Sequence, residues 1–163
     1  MGLEKYDGTI DIARGADIQM IFQDTGAAFN DRMTVREIIA EPLVAAKRGT
    51  GRREDRRRSK EALREAVRCA LHQVELDESF AERKPYELSG GQRQRVAIAR
   101  AIITRPDIII ADEPLTGLDV STQAQIVHLF KKLSEENEMA ILFIAHDLPM
   151  VNHISDRIIK MGV

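Results

Sequence analysis

Two hydrophobic rhythms alternate along this chain. Short apolar runs of four to six residues occur at Ile108–Ala111 and Ala140–Ala145, and strand candidates of mixed pattern lie at 18–22 and, near the end, at Arg157–Met161. Runs of this length between turn formers predict buried strands. Between them the period changes. Leu63, Ala66, Val67, Ala70, Leu71 and Val74 share one face of a helix predicted over 56–74, and Ile126, Leu129, Phe130 and Leu133 one face of a helix over 121–136. Thr34-Val35-Arg36-Glu37 is a capping box, which starts a helix reaching about Ala46 with a kink at Pro42. Ser89 or Gly90 opens another helix, to about Thr104, stopped by Pro106, and Pro149–Ile154 forms a short one. Residues 1–17 are Gly-punctuated and weakly patterned, with turns at Asp7-Gly8 and Arg14-Gly15. Strands alternating with helices predict an α/β fold built on a parallel sheet. The unbroken apolar run at 108–111 predicts that both sheet faces are covered. About residues 30–87 then form a helical insertion in that core.

Composition changes this picture little. The apolar fraction of 44%, the charged fraction of 31% and the net charge of -2 are those of an ordinary globular chain, with no global attraction to nucleic acid or acidic membrane. At 163 residues it is one domain's worth. Residues 47–60 carry eight Lys or Arg against Glu54 and Asp55, which reads as a solvated loop and helix start or as a contact to an anionic surface. The single cysteine, Cys69, excludes an internal disulfide and suits a reducing compartment; it is expected in the core. No 18-residue apolar run and no signal peptide is present, so any membrane-spanning part is expected on another polypeptide.

The candidate chemistry sits where the predicted strands end. Ile108–Ala111 delivers Asp112 and Glu113 to the carboxyl edge of the sheet, where open α/β sheets place their ligands. Asp112 could hold a hydrated magnesium ion, which needs few carboxylates, and Glu113 could polarise a water attacking a terminal phosphate. His146 follows another strand to the same edge and could hydrogen-bond that phosphate, whereas His72, His128 and His153 read as structural. Gln23, also at a strand end, could reach the metal or the water. Ser89-Gly90-Gly91-Gln92 precedes a helix whose N-terminal amides suit an anion. Asp119 is placed to cap the helix at 121–136. Taken singly, each has a plainer meaning: a solvated acid pair, or a Ser-capped helix after a Gly-Gly turn.

Together, in this order and spacing, Leu88-Ser89-Gly90-Gly91-Gln92 and Ile108-Ile109-Ile110-Ala111-Asp112-Glu113-Pro114 resemble the signature loop and Walker B strand of the ATP-binding-cassette (ABC) ATPases. The resemblance extends from about Asp7 to the end. It implies a P-loop-type parallel sheet with an inserted helical subdomain, binding ATP and Mg2+. Gln23 takes the place of the Q-loop glutamine and metal contact, Glu113 of the general base and His146 of the switch histidine. Asp112 takes that of the metal carboxylate, Ser89, Gly90, Gly91 and Gln92 of the nucleotide-contacting loop, and Gly117-Leu118-Asp119 of the D-loop. Phrases such as Glu41-Pro42-Leu43, Pro85-Tyr86-Glu87-Leu88 and Val120-Ser121-Thr122-Gln123-Ala124-Gln125-Ile126 are similar to those of the subfamily that drives bacterial import of oligopeptides, dipeptides and nickel.

The resemblance further implies transmembrane permease subunits and a second ABC ATPase subunit, identical or not, as partners, with no nucleic acid. It places the protein on the cytoplasmic face of the inner membrane. Two nucleotides would lie between two ATPase domains, each contacting the signature loop of the opposite one. The other readings are a non-transport ABC ATPase of DNA repair or translation, and a catalytically inactive partner module. No stretch matches GxxxxGK[ST], so the phosphate-binding strand and helix are expected before residue 1, and the chain as it stands is expected to be inactive alone. In the family that strand lies between those matching Ala140–Ala145 and Arg157–Met161. One of three outcomes is therefore expected: the last strand pairs inward with 140–145, a second copy fills the gap, or residues after 154 are poorly held.

Overall fold

A computed structural model describes residues 15–25, 29–46, 53–147, 151–152 and 154–160. The turn expected at Asp7-Gly8 and most of the basic run at 47–60 lie outside them or outside the described side chains. Among the described residues three parallel strands make the sheet: β1 (Ile18–Ile21), β2 (Ile108–Asp112) and β3 (Ala140–Ile144), in the order β1-β2-β3. Ile18 pairs with Ile108 and Ile108 with Ala140, and the register runs without slip to Asp112 beside Ile144. Parallel neighbours need long crossovers. The first contains α1 (Val35–Ala46), α2 (Arg53–Gln73), two 3-10 helices (Glu78–Glu82 and Pro85–Glu87) and α3 (Gly90–Ile102); the second contains α4 (Val120–Asn137).

The helices start where the side chains dictate. The Thr34 amide donates to Glu37 Oε2 at 2.7 Å and the Glu37 amide to Thr34 Oγ1 at 3.3 Å, a reciprocal pair that meets two orphan donors of α1. α1 continues past Pro42, whose missing N–H removes one helical bond without ending the helix. On α2 the predicted face is the one that turns inward, with Val67, Ala70, Leu71 and Val74 buried. Cys69 corrects its expectation: it is exposed, because it falls one position beyond that face, and its Sγ lies 3.7 Å from Glu65 Oε1. The four predicted core positions of α4 are all buried. Between α2 and α3, Arg95 donates to the Val74 carbonyl at 2.8 Å and to Glu75 at 2.9 Å, tying the helical segment to the start of the core.

The sheet has two unlike faces. Ile21, Ile109 and Ala111 are buried beneath the helices, and Phe143 meets Phe130 of α4 edge to face at 5.6 Å. On the other face the register aligns Ile18 with Ile108 and Ala140, and Met20 with Ile110 and Leu142. Met20 is 42% exposed, Leu142 53% and Ile144 44%. The expectation of a sheet covered on both sides is met on one side only, among the described residues. The strand at Arg157–Met161 is also corrected. Arg157–Lys160 form no strand, Ile159 is 73% exposed, and β3 has no partner on its outer edge among the described residues. A strand needs a neighbour to satisfy its backbone, and the described residues supply none here.

Candidate functional site

At the carboxyl edge of the sheet the chain leaves β2 through a strained residue. Glu113 has φ 42°, the left-handed region, which costs a non-glycine residue about 1 kcal/mol or more unless its surroundings hold it there. They do. Its amide donates to the Ile144 carbonyl at 2.9 Å, continuing the β2–β3 ladder past Asp112, and the Thr116 amide donates to the Glu113 carbonyl at 3.2 Å to close a turn. Turned this way, the Glu113 carboxylate receives three elements. Gln23 Nε2, from the end of β1, donates to Oε2 at 2.8 Å, and Thr116 Oγ1 donates to the same oxygen at 3.1 Å. His146 Nδ1, just after β3, lies 3.6 Å from Oε1. A cavity of about 210 Å3 opens beside them, bounded by Glu113, Thr116, Gly117, Gln123, Phe143 and His146, among others. Residues 90, 3 and 33 positions from Glu113 in sequence thus converge on its carboxylate, and Asp112 stands next to it, half-buried.

The turn after Glu113 is held by groups that sequence reasoning did not single out. Gly117 takes φ 78°, which a side chain would disfavour. Gln123 Nε2 reaches back from α4 to the carbonyls of Leu118 at 3.1 Å and Leu115 at 3.3 Å. Thr116 and Gln123 were hidden because their partners are fixed only by the turn. The one available signal was a hydroxyl three residues beyond an acid that ends a strand. Asp119 caps α4 as expected: it accepts from the hydroxyls of Ser121 and Thr122, each at 2.6 Å, and from the Thr122 amide at 3.0 Å. Those hydrogen bonds, led by that from Ser121, hold its carboxyl well below the usual carboxylate range.

Ser89 and Gln92 form a second reciprocal cap. The Gln92 amide donates to Ser89 Oγ at 3.3 Å and the Ser89 amide to Gln92 Oε1 at 3.0 Å. Both side chains are therefore engaged in starting α3, which leaves the amides of Gly90 and Gly91 among the open donors of its first turn. The two glycines sit against the Asp119 loop. A Cβ on Gly90 would stand 3.2 Å from Leu118 Cδ2, and one on Gly91 only 2.6 Å from Thr122 Cγ2. None of Ser89, Gly90, Gly91 and Gln92 lines the cavity at Glu113. The structure brings Gln23, Glu113 and His146 together and keeps the signature turn apart from them. His72 and His128 are exposed on α2 and α4, outside the core, and His153 is outside the described residues. Among the described residues, no group of three or more His, Cys, Asp or Glu is arranged to hold a metal by itself. No helix among them is long and apolar enough to cross a membrane.

A parallel sheet with acids at its carboxyl edge, a glutamine and a histidine from flanking strands, and a Ser-Gly-Gly-Gln helix start define an ATP-binding cassette. The family described as ABC transporter matches residues 4–116, and the chain belongs to it. It is 49% identical over 146 residues to the oligopeptide transport ATP-binding protein OppF of Escherichia coli (strain K12), covering 90% of this chain and 41% of that protein. It is 46% identical over 160 residues to the glutathione import ATP-binding protein GsiA of Salmonella choleraesuis (strain SC-B67), covering 97% of this chain and 24% of that one. The chain thus spans well under half the length of these curated relatives. Among solved structures it is similar to the dimeric bacterial ABC transporter cassette MJ0796, with TM-score 0.67 and 36% identity over 84% of this chain and 55% of that one. It is also similar to cbiO1 from Clostridium perfringens, part of the ABC transporter complex cbiONQ, with TM-score 0.71 and 25% identity over 86% and 51%.

Proposed function

We propose that these residues form the hydrolytic half of an ATPase subunit that energises import of peptides across a bacterial inner membrane. The observation that carries the reading is the convergence of Gln23, Thr116 and His146 on the carboxylate of Glu113. A general base must be held within reach of its water with an oxygen left to accept a proton. With Oε2 occupied by Gln23 and Thr116, Oε1 is that oxygen, and His146 stands beside it to orient the terminal phosphate. The names of the relatives, oligopeptide transport and glutathione import, support peptides as cargo; nickel is the other cargo that the sequence resemblance implies.

The donor set fits Mg2+. A half-buried carboxylate, Asp112, and the amide oxygen of Gln23 are hard oxygen donors, too few to cage the ion, as suits a cation that keeps its waters and binds phosphates. When bound, the ion would neutralise charge on the phosphates. The open first-turn amides at Gly90 and Gly91, apart from the cavity, support a nucleotide contact made to a second ATPase subunit, with Ser89, Gln92 and Asp119 shaping that surface. The helical segment of about 30–87 is the part offered to permease subunits, on the cytoplasmic side. Glu113→Gln tests the reading in an ATPase that carries these residues together with a phosphate-binding loop. It should lower turnover by about 100-fold or more and leave nucleotide binding intact. Steady-state hydrolysis at the wild-type rate would remove Glu113 from the role of base and shift it to His146.

A further inference from the structure

Glu113 is held by two donors on the same oxygen, and they differ in what else is asked of them. Gln23 comes from another element, 90 residues away, and its amide is the group with prospects elsewhere, toward the cation or the water. Its oxygen and its N–H serve different partners, and a turn of the amide toward either can break its bond to Glu113. Thr116 is tied to Glu113 locally. It belongs to the same turn as Glu113: its amide is bound to the Glu113 carbonyl at 3.2 Å while its hydroxyl, 3.1 Å from Oε2, closes a second ring over the first. That second ring keeps the carboxylate at the cavity, while the backbone bonds of its amide and carbonyl hold Glu113 at φ 42°. The backbone bond fixes the turn and the hydroxyl fixes the side chain within it.

We propose that Thr116 is the positioning residue of this site: its hydroxyl anchors Oε2 of Glu113, so that Oε1 faces the reacting water whichever way Gln23 points. Thr116 touches neither phosphate nor water in this role; it acts through Glu113. The inference rests on Glu113 being the base. It differs from that reading in assigning the orientation of the carboxylate to a hydroxyl rather than to Gln23 or His146. A lost aim should appear in the chemical step and not in binding, because effective positioning lowers the barrier and contributes little to ground-state affinity.

The test compares Thr116→Val, which keeps the shape and removes the hydroxyl, with Thr116→Ser, which keeps the hydroxyl and removes the methyl. Both are measured for kcat and KM in the ATPase carrying a phosphate-binding loop, beside Glu113→Gln. Thr116→Val should lower kcat about tenfold with KM for ATP within about twofold, while Thr116→Ser retains at least about half of kcat. A Thr116→Val enzyme with wild-type kcat, beside an inactive Glu113→Gln, overturns the positioning role and leaves the base in place. Equal losses in the Val and Ser variants overturn it too, since packing of the methyl would then be the cause. Wild-type turnover in Glu113→Gln removes the base itself and takes the inference with it. A Thr116→Val chain that fails to fold while Thr116→Ser folds and turns over normally would make the hydroxyl a determinant of the turn instead, and would overturn the catalytic assignment.

Discussion

Replacing Gly91 with alanine should strain the molecule at one point, the side chain of Thr122. The new Cβ would lie 2.6 Å from Thr122 Cγ2 and 3.9 Å from Thr122 Cβ and Oγ1. Carbon atoms prefer about 3.5–4.0 Å, so the deficit against the methyl is about 1 Å. Thr122 cannot turn aside cheaply. It is β-branched, and both its amide and its hydroxyl are bound to Asp119. Overpacking of this kind costs about 1–3 kcal/mol, partly offset by the ~0.5–1 kcal/mol that alanine gains over glycine in a helix. The net loss should be about 0.5–2 kcal/mol. Thr122→Ser supplies the control, because it deletes the offending methyl and keeps the hydroxyl on Asp119. Alone it should cost about 0.8 kcal/mol. In that background the helix-propensity gain remains and Gly91→Ala should stabilise by ~0.5–1 kcal/mol, a coupling of ~1–3 kcal/mol, well above the ~0.3–0.5 kcal/mol expected of independent sites. Urea unfolding of the four proteins reads it directly. Additive losses would show that the signature turn and the Asp119 loop are not in the contact described.

Further outcomes follow from the same geometry. A polypeptide of these 163 residues contains no GxxxxGK[ST] loop, and losing about three charge-assisted hydrogen bonds of ~1.5–3 kcal/mol each should weaken ATP binding at least about a thousandfold; micromolar binding of labelled ATP would refute it. The open sheet face of Met20, Leu142 and Ile144 should drive that polypeptide to self-associate, and Leu142→Lys should reduce the mass seen by light scattering; a strict monomer without the substitution would overturn this. Glu75 is held below its ordinary pKa, first by the hydrogen bond from Arg95, against a smaller opposing desolvation. Its contribution to stability is therefore complete above the unfolded carboxylate's pKa and is lost as pH falls through the lower folded value. Glu75→Gln should flatten the acid limb of a melting-temperature profile, and an unchanged limb would remove the pair from the account.

Much of this protein is written in periodicity and punctuation. The face of α2, the four core positions of α4, the capping boxes at Thr34 and Ser89 and the three strands are local facts, since burial of an apolar stripe and a reciprocal cap depend on residues a few positions apart. Spacing also carried Glu113, Asp112, Gln23 and His146 as candidates, because strand ends in a parallel sheet share an edge. What tertiary structure alone decided depends on distance in space. Cys69 lies one position off the buried stripe, a rotation that composition does not report. Arg157–Met161 has strand composition, yet a strand exists only where a neighbour accepts its hydrogen bonds, and the sequence does not say who that neighbour is. The same holds for the uncovered sheet face. Thr116 became a partner of Glu113 only through a left-handed residue and a closed turn, and Gly91 owes its identity to a methyl group on a helix some 30 residues away. Local order follows from the chain's own pattern; which groups meet, and which remain open, follows from the packing of elements that the chain keeps far apart.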